Sequence, residues 1–211
     1  MSRPLAVLRP EPGNAATVAR IEALGLRAIR LPLFAVRPLA WTPPDPASFD
    51  ALLLTSANAV RHAGPGLASL AALPVVAVGE ATARAARAAG LTVELIGTGD
   101  VAAVERASGR GRLLHLAGRD HIASGAVTVP VYAAETLSVA GMASLDGSVA
   151  LLHSARAARR LRELLERDGI ALRIAAISAA VRDAGPTMPG AVAHQPNDEA
   201  LVALAARLAA D

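Results

Sequence analysis

Residues 50–63 read DALLLTSANAVRHA: a short apolar run, then Thr55-Ser56-Ala57-Asn58, then a segment suited to a helix. A run of this kind, broken by hydroxyl residues, predicts a buried strand feeding a capped helix N-terminus. The exit of that strand is where a site is expected. Free N–H groups at Ala57 and Asn58, with the Thr and Ser hydroxyls, form an anion receptor that needs no charged side chain. Residues 148–161, SVALLHSARAARRL, repeat the pattern, with Ser154 in the place of Ser56.

Working outward, strands and helices alternate along the chain. A first strand at residues 5–9 (LAVLR) leads to a helix capped by Asn14 and closed by Gly25. Residues 27–36 read as one long strand, and Pro32 assigns it to an edge or a connector. A proline-rich extended stretch, residues 38–48, precedes the central strand. Strand 75–78 runs into Gly79-Glu80-Ala81-Thr82, where Gly79 allows a tight turn and Thr82 either caps its helix or meets a ligand. The run Gly97-Thr98-Gly99-Asp100 reads as a glycine turn with Asp100 as helix cap. It lacks the lysine and the glycine spacing of a phosphate loop. Strand 112–117 exits through Gly118-Arg119-Asp120-His121, and strand 127–133 carries Pro130. In the last third, strand 149–153 feeds a helix over residues 155–167. Strand 172–177 turns at Ser178, and a final helix starts at Asn197 or Asp198.

Composition excludes several chemistries. The 211 residues suffice for one large domain or two small ones, and 53% are apolar, yet Phe, Tyr and Trp together make up only 2%. Such a core of Ala, Leu and Val favours helices lying close on sheets. With no Cys there are no disulfides, thiolate metal sites or cysteine nucleophiles. All 21 basic residues are Arg, which removes Schiff bases and Walker-type lysines. A net charge of +3 with few aromatics argues against nucleic-acid binding and leaves an anionic small molecule open. No apolar run approaches the roughly 20 residues of a membrane span, and the N-terminus does not read as a signal peptide. The chain reads as cytoplasmic. Its histidines have no metal-ligand spacing.

The two halves agree in phase. Ser56 matches Ser154 and Gly79 matches Ser178, at an offset of about one hundred residues, the self-similarity expected of a repeated unit. LAVLR, glycine and LPLF are likewise echoed by LLHLA, glycine and VPVY. Two similar parallel α/β units would put ligand loops at the carboxyl ends of both sheets, across an interdomain cleft.

On these segments, together with VVAVGEATARAARAAGLTVE and the closing QPNDEALVALAARL, the chain resembles the uroporphyrinogen-III synthases over nearly its whole length. The resemblance implies two parallel-sheet α/β domains joined by a two-stranded ladder, with the active site in the cleft between them. Residues 1–36 plus 135–211 would form a discontinuous first domain and residues 37–134 the second. It implies a monomeric lyase that closes hydroxymethylbilane into uroporphyrinogen III with inversion of ring D, using no metal or organic cofactor. Its only partner would be that small-molecule substrate, without nucleic acid or membrane.

Carried over by position, Tyr132 is the catalytic candidate, assisting departure of the terminal hydroxyl. The substrate-binding candidates are Ser56, Ala57, Asn58, Gly79, Thr82, Gly118, Arg119 and Ser154, with Arg9 and Arg156 for carboxylates. Two features depart from the family. Ser178-Ala179-Ala180-Val181 replaces the second Gly-x-x-Thr turn, and residues 119–125 are too few for a helix. The alternative reading is a non-catalytic two-lobed protein that binds a tetrapyrrole or another polycarboxylate.

Overall fold

Successive residues of a strand face opposite sides of its sheet, so runs that are apolar throughout need helices on both faces. The computed structural model describes residues 2–97, 101–165 and 169–210. In chain order its elements are β1 (Leu5–Val7), α1 (Gly13–Glu22), β2 (Ala28–Arg30), β3 (Phe34–Pro38), β4 (Ala51–Leu54), α2 (Ala57–His62) and β5 (Val75–Val78). There follow α3 (Glu80–Ala88), β6 (Val93–Gly97), α4 (Val101–Ser108), β7 (Leu113–Gly118), β8 (Val127–Thr136), β9 (Val149–Leu152) and α5 (Ala155–Leu165). The last are β10 (Arg173–Ala176), α6 (Ala179–Ala184), β11 (Gly190–Val192) and α7 (Asp198–Ala210).

The chain forms two units, Met1–Ala35 with Thr136–Asp211, and Val36–Glu135. The first unit holds a parallel sheet in the order β11-β10-β9-β1-β2. Leu5, Val7, Val149 and Leu151 face α1 and α7, whereas Ala6, Ala150, Leu152 and Ile174 face the opposite way, toward α5 and α6. The second unit holds the order β3-β8-β7-β4-β5-β6, parallel from β8 to β6. Leu52, Leu54, Leu114 and Leu116 face α2 and α3, while Ala51, Leu53 and Leu113 face α4 through Val104. Alanines at Ala59, Ala83 and Ala86 let the helices lie close, and truncating a fully buried leucine such as Leu53 would cost ~2–5 kcal/mol.

The chain changes unit inside β3 and again inside β8. These two strands are neighbours. Leu39 N–H donates to the Val131 carbonyl at 2.9 Å and Leu137 N–H to that of Leu33 at 3.0 Å, an antiparallel ladder.

Three local expectations are corrected. The long strand of residues 27–36 is two strands, β2 and β3, because Pro32 has no N–H to continue a ladder. The residues between them stay tied to the β1 side through Leu31 N–H to Val7 O and Leu33 N–H to Leu8 O. Asn14 is not a cap, since α1 begins one residue earlier, behind Pro12. Instead Asn14 is fully buried, and its Nδ2 donates to the carbonyls of Val7 and Arg9, both at 2.9 Å, binding α1 to the end of β1. Ser178, read as a bare turn, caps a helix, α6, its Oγ accepting from Val181 N–H at 3.4 Å. The cap expected at Asp100 and the end of the helix near residue 167 lie outside the described residues.

Candidate functional site

In the second unit the carboxyl ends of β4, β5 and β7 meet around a pocket of about 260 Å³. Ser56 is extended (φ −152°, ψ 137°), and its Oγ accepts from Asn58 N–H at 3.2 Å, so it caps α2. Ala57 opens that helix, and Asn58 Oδ1 accepts from Arg61 at 3.1 Å. Gly79 caps α3 at φ +79°, a left-handed conformation that favours glycine. Its N–H donates to Gly97 O at 2.9 Å. Thr82 lies in the first turn of α3 and is buried.

The end of β7 sets the position of Tyr132. A Cβ on Gly118 would lie 2.8 Å from Tyr132 Cζ and 3.0 Å from its hydroxyl, so any larger residue there must displace the phenol. The β7–β8 register slips there: Ala117 pairs with Pro130 and Gly118 with Tyr132. Arg119 N–H holds the slip by donating to Tyr132 O at 2.8 Å, while its side chain is exposed. His62, at the end of α2, stands 6.2 Å from the tyrosine ring. Burial, and then the charge of Arg61, push His62 below its ordinary pKa. A neutral imidazole therefore flanks the phenol at pH 7.

Of the sequence candidates, Ser56, Gly118 and Tyr132 share this pocket. Thr55, His115 and His121 join them there. His115 Nε2 is 3.0 Å from Thr55 Oγ1, and the ring is almost fully buried. Burial, reinforced by the nearby His121 and opposed by Glu105, lowers its pKa to about 4. The sequence did carry a signal for it: His115 is the one polar side chain in the otherwise apolar run LLHLA.

In the first unit Ser154 is exposed and caps α5, its Oγ accepting from Ala157 N–H at 3.2 Å. Arg156 lies over the Phe34 ring at 4.6 Å, a cation–π contact that fixes its stem. Arg9 is 3.5 Å from Asp198, whose carboxylate also accepts from His153 Nε2 and Thr17 Oγ1, each at 2.7 Å, and from Arg20. Burial works to raise the Asp198 pKa. The hydrogen bonds from His153 and Thr17, with the charge of Arg20, outweigh it and bring the value to about 2. Burial holds His153 below its ordinary range, and its hydrogen bond to Asp198 opposes that shift. A neutral His153 therefore donates Nε2–H to an ionised carboxylate. Asn197, not Asp198, caps α7, its Oδ1 accepting from Ala200 N–H at 2.8 Å. Thr17 and Arg20 escape sequence reasoning, and Asp198 reads there only as a helix start, because α1 and the start of α7 lie far apart in the chain and share no motif.

Among the described residues no group of three or more His, Asp or Glu is placed to hold a metal ion. No helix among them is long and apolar enough to cross a membrane. What the second unit offers is hydroxyls, a phenol, imidazoles and helix N-termini, a set suited to positioning and hydrogen bonding.

The family model described as uroporphyrinogen-III synthase HemD matches residues 15–203. No curated protein sequence matches the chain. Among solved structures, the chain is similar to a mutant uroporphyrinogen III synthase from the extremely thermophilic bacterium Thermus thermophilus, at 17% identity and a TM-score of 0.53, covering 96% of each chain. The wild-type structure from the same bacterium matches at 16% identity and a TM-score of 0.45, covering 99% of this chain and 97% of that one. At such identities the likeness concerns the fold, and the superposition at 0.53 carries it.

Proposed function

The chain belongs to the uroporphyrinogen-III synthase family, and from that premise we propose that it cyclises hydroxymethylbilane to uroporphyrinogen III. In this reading the terminal hydroxyl leaves as water, taking up a proton, and the pyrrole nitrogen lone pair expels it to give an azafulvene. The substituted carbon of ring D attacks to form a spiro intermediate. Fragmentation and reclosure invert that ring, and loss of a ring proton balances the one taken up. The sum is loss of one water, with no change of oxidation state.

Tyr132 is the group proposed to assist departure of the hydroxyl. In this reading its hydroxyl donates a hydrogen bond to the departing oxygen. The N-terminal turns at Ser56, Ala57, Asn58 and Gly79, with Gly118 and Arg119, are proposed to receive substrate carboxylates in the second unit. Ser154 and Arg156 are proposed to do so in the first. Thr82, being buried, and Arg9, paired to Asp198, are read as support for these turns.

The observation that carries the reading is the packing of Tyr132 against Gly118 in the same pocket as Ser56. The test is incubation with freshly prepared hydroxymethylbilane, oxidation of the product and chromatographic separation of the isomers. Type III product is expected, and type I alone would refute the proposal.

A further inference from the structure

The two sheets share one strand order: β11-β10-β9-β1-β2 corresponds to β6-β5-β4-β7-β8, with β3 added at the edge. One connection differs. The step from β1 to β2 carries α1, whereas the equivalent step from β7 to β8 is residues 119–126, with no helix. Parallel neighbours usually need a crossover of about a dozen residues or more, so this shorter strap runs directly back along its own strand. In the first unit Val18 and Ile21 of α1 cover the sheet together with α7. In the second, α4 has no such companion among the described residues, and the place is taken by the strap and the pocket. Val78, Val101, Asp120 and Ile122 complete the pocket lining. Ile122 is 79% exposed, an apolar side chain at the rim.

The hydrogen bonds fix the tautomers of the two histidines beneath and beside this recess. His121 Nδ1 lies 3.0 Å from the Gly118 carbonyl. A carbonyl can only accept, so Nδ1 carries a proton, and in the neutral ring Nε2 presents a lone pair. The His115 ring meets His121 edge-on at 6.0 Å between centroids, and its Nδ1 is buried with no partner among the described residues. A neutral ring has one N–H. Placing it on Nε2 directs it to Thr55 Oγ1, whereas placing it on Nδ1 would strand a buried donor.

The strap side of the pocket therefore presents an acceptor at His121, framed by Val78, Val101 and Ile122. A carboxylate, itself only an acceptor, cannot hydrogen-bond to that nitrogen. A flat apolar ring with a single N–H donor matches it, and about 260 Å³ suits one substituted ring rather than four. We propose that this recess receives one pyrrole ring, its N–H donated to His121 Nε2, which makes His121 a specificity-determining residue. The inference rests on the proposed tetrapyrrole substrate and adds to it how a ring, as distinct from its carboxylates, is recognised.

The test is titration calorimetry with a dipyrromethane bearing acetate and propionate side chains and with its N,N′-dimethyl analogue. Wild-type protein is expected to bind the N–H compound about tenfold more tightly. In a folded His121→Ala variant that ratio should fall to near one. His121→Asn, whose amide oxygen also accepts, should restore part of it. An unchanged ratio in His121→Ala, or a wild type that binds neither compound or does not discriminate, overturns the inference. The isomer assay separates the two proposals. Type I product with retained N–H discrimination removes the synthase reading alone, whereas type III product with an unchanged ratio removes only the role of His121.

Discussion

Replacing Asp198 by asparagine removes one negative charge where α1, the end of β9 and the start of α7 meet. The amide has the same shape, and its oxygen still accepts from Thr17 or His153, so the lost quantity is charge rather than packing. Its size follows from the carboxyl pKa, about 2 in the folded chain against an ordinary 3.8. At about 1.4 kcal/mol per tenfold change, that difference has a ceiling of ~2.5 kcal/mol. A fifth of the side chain is exposed, and solvent screening brings the expectation to about 1–2 kcal/mol.

The sign is fixed by linkage. A carboxyl more acidic in the folded state contributes its full stability above the unfolded pKa, near 4. It loses that contribution as pH falls toward 2. Urea unfolding of wild type and Asp198→Asn at pH 7 should differ by about 1–2 kcal/mol, and in thermal melts by roughly 2–8 °C. At pH 3 the gap should narrow by about half. Equal gaps at both pH values, or none at pH 7, would show that Asp198 does not stabilise through its charge.

His115→Phe tests the opposite titration. A buried imidazole with a folded pKa of about 4 binds fewer protons than the unfolded chain between pH 6.5 and 4. Wild-type stability should therefore fall over that window by up to ~3 kcal/mol. The variant should show a shallower fall and a loss of about 1 kcal/mol at pH 7.5 from the broken bond to Thr55, and parallel melting curves across pH would refute this. Gly118→Ala places a methyl 2.8 Å from Tyr132 Cζ. Displacing the ring should cost ~1–3 kcal/mol and lower the cyclisation rate at least tenfold, whereas unchanged rate and melting temperature would show that the phenol's position does not matter.

Much of this molecule was legible because its signals are local. The run Leu52-Leu53-Leu54 ends in Ser56, and a hydroxyl after an apolar run has few uses other than capping, so both β4 and α2 follow from adjacent residues. The same holds for β9 with Ser154. Asn14 misled because an asparagine near a helix start is normally a cap. Here two carbonyls at the exit of β1 compete for its amide, and a contact with residues already folded back outweighs the local preference. The Asp198 cluster joins Arg9, Thr17, Arg20 and His153 across most of the chain, and nothing in the order of residues marks such a convergence. The pocket wall at His121 was legible only as a missing helix. What stood in its place depended on how a strap packs.

Alignment of the capping serines places Thr55 at the position of His153. In each unit the residue just before the capping serine is tied down by a polar partner: Thr55 by His115 across β4 and β7, and His153 by Asp198 at the start of α7. A tether there fixes the direction in which the helix N–H groups leave the strand, and those groups are what an anionic ligand would meet. The tethers differ in how much room they leave. In the first unit Thr17 and Arg20 of α1 also converge on Asp198, so the exit of β1 is occupied by an internal ion pair. In the second unit no helix follows β7, and the equivalent place is a recess lined by Thr55, His115 and His121. Deleting one helix from one copy of a repeated unit thus turns a self-satisfied edge into an open one, and recognition of a ring is expected where that helix is missing.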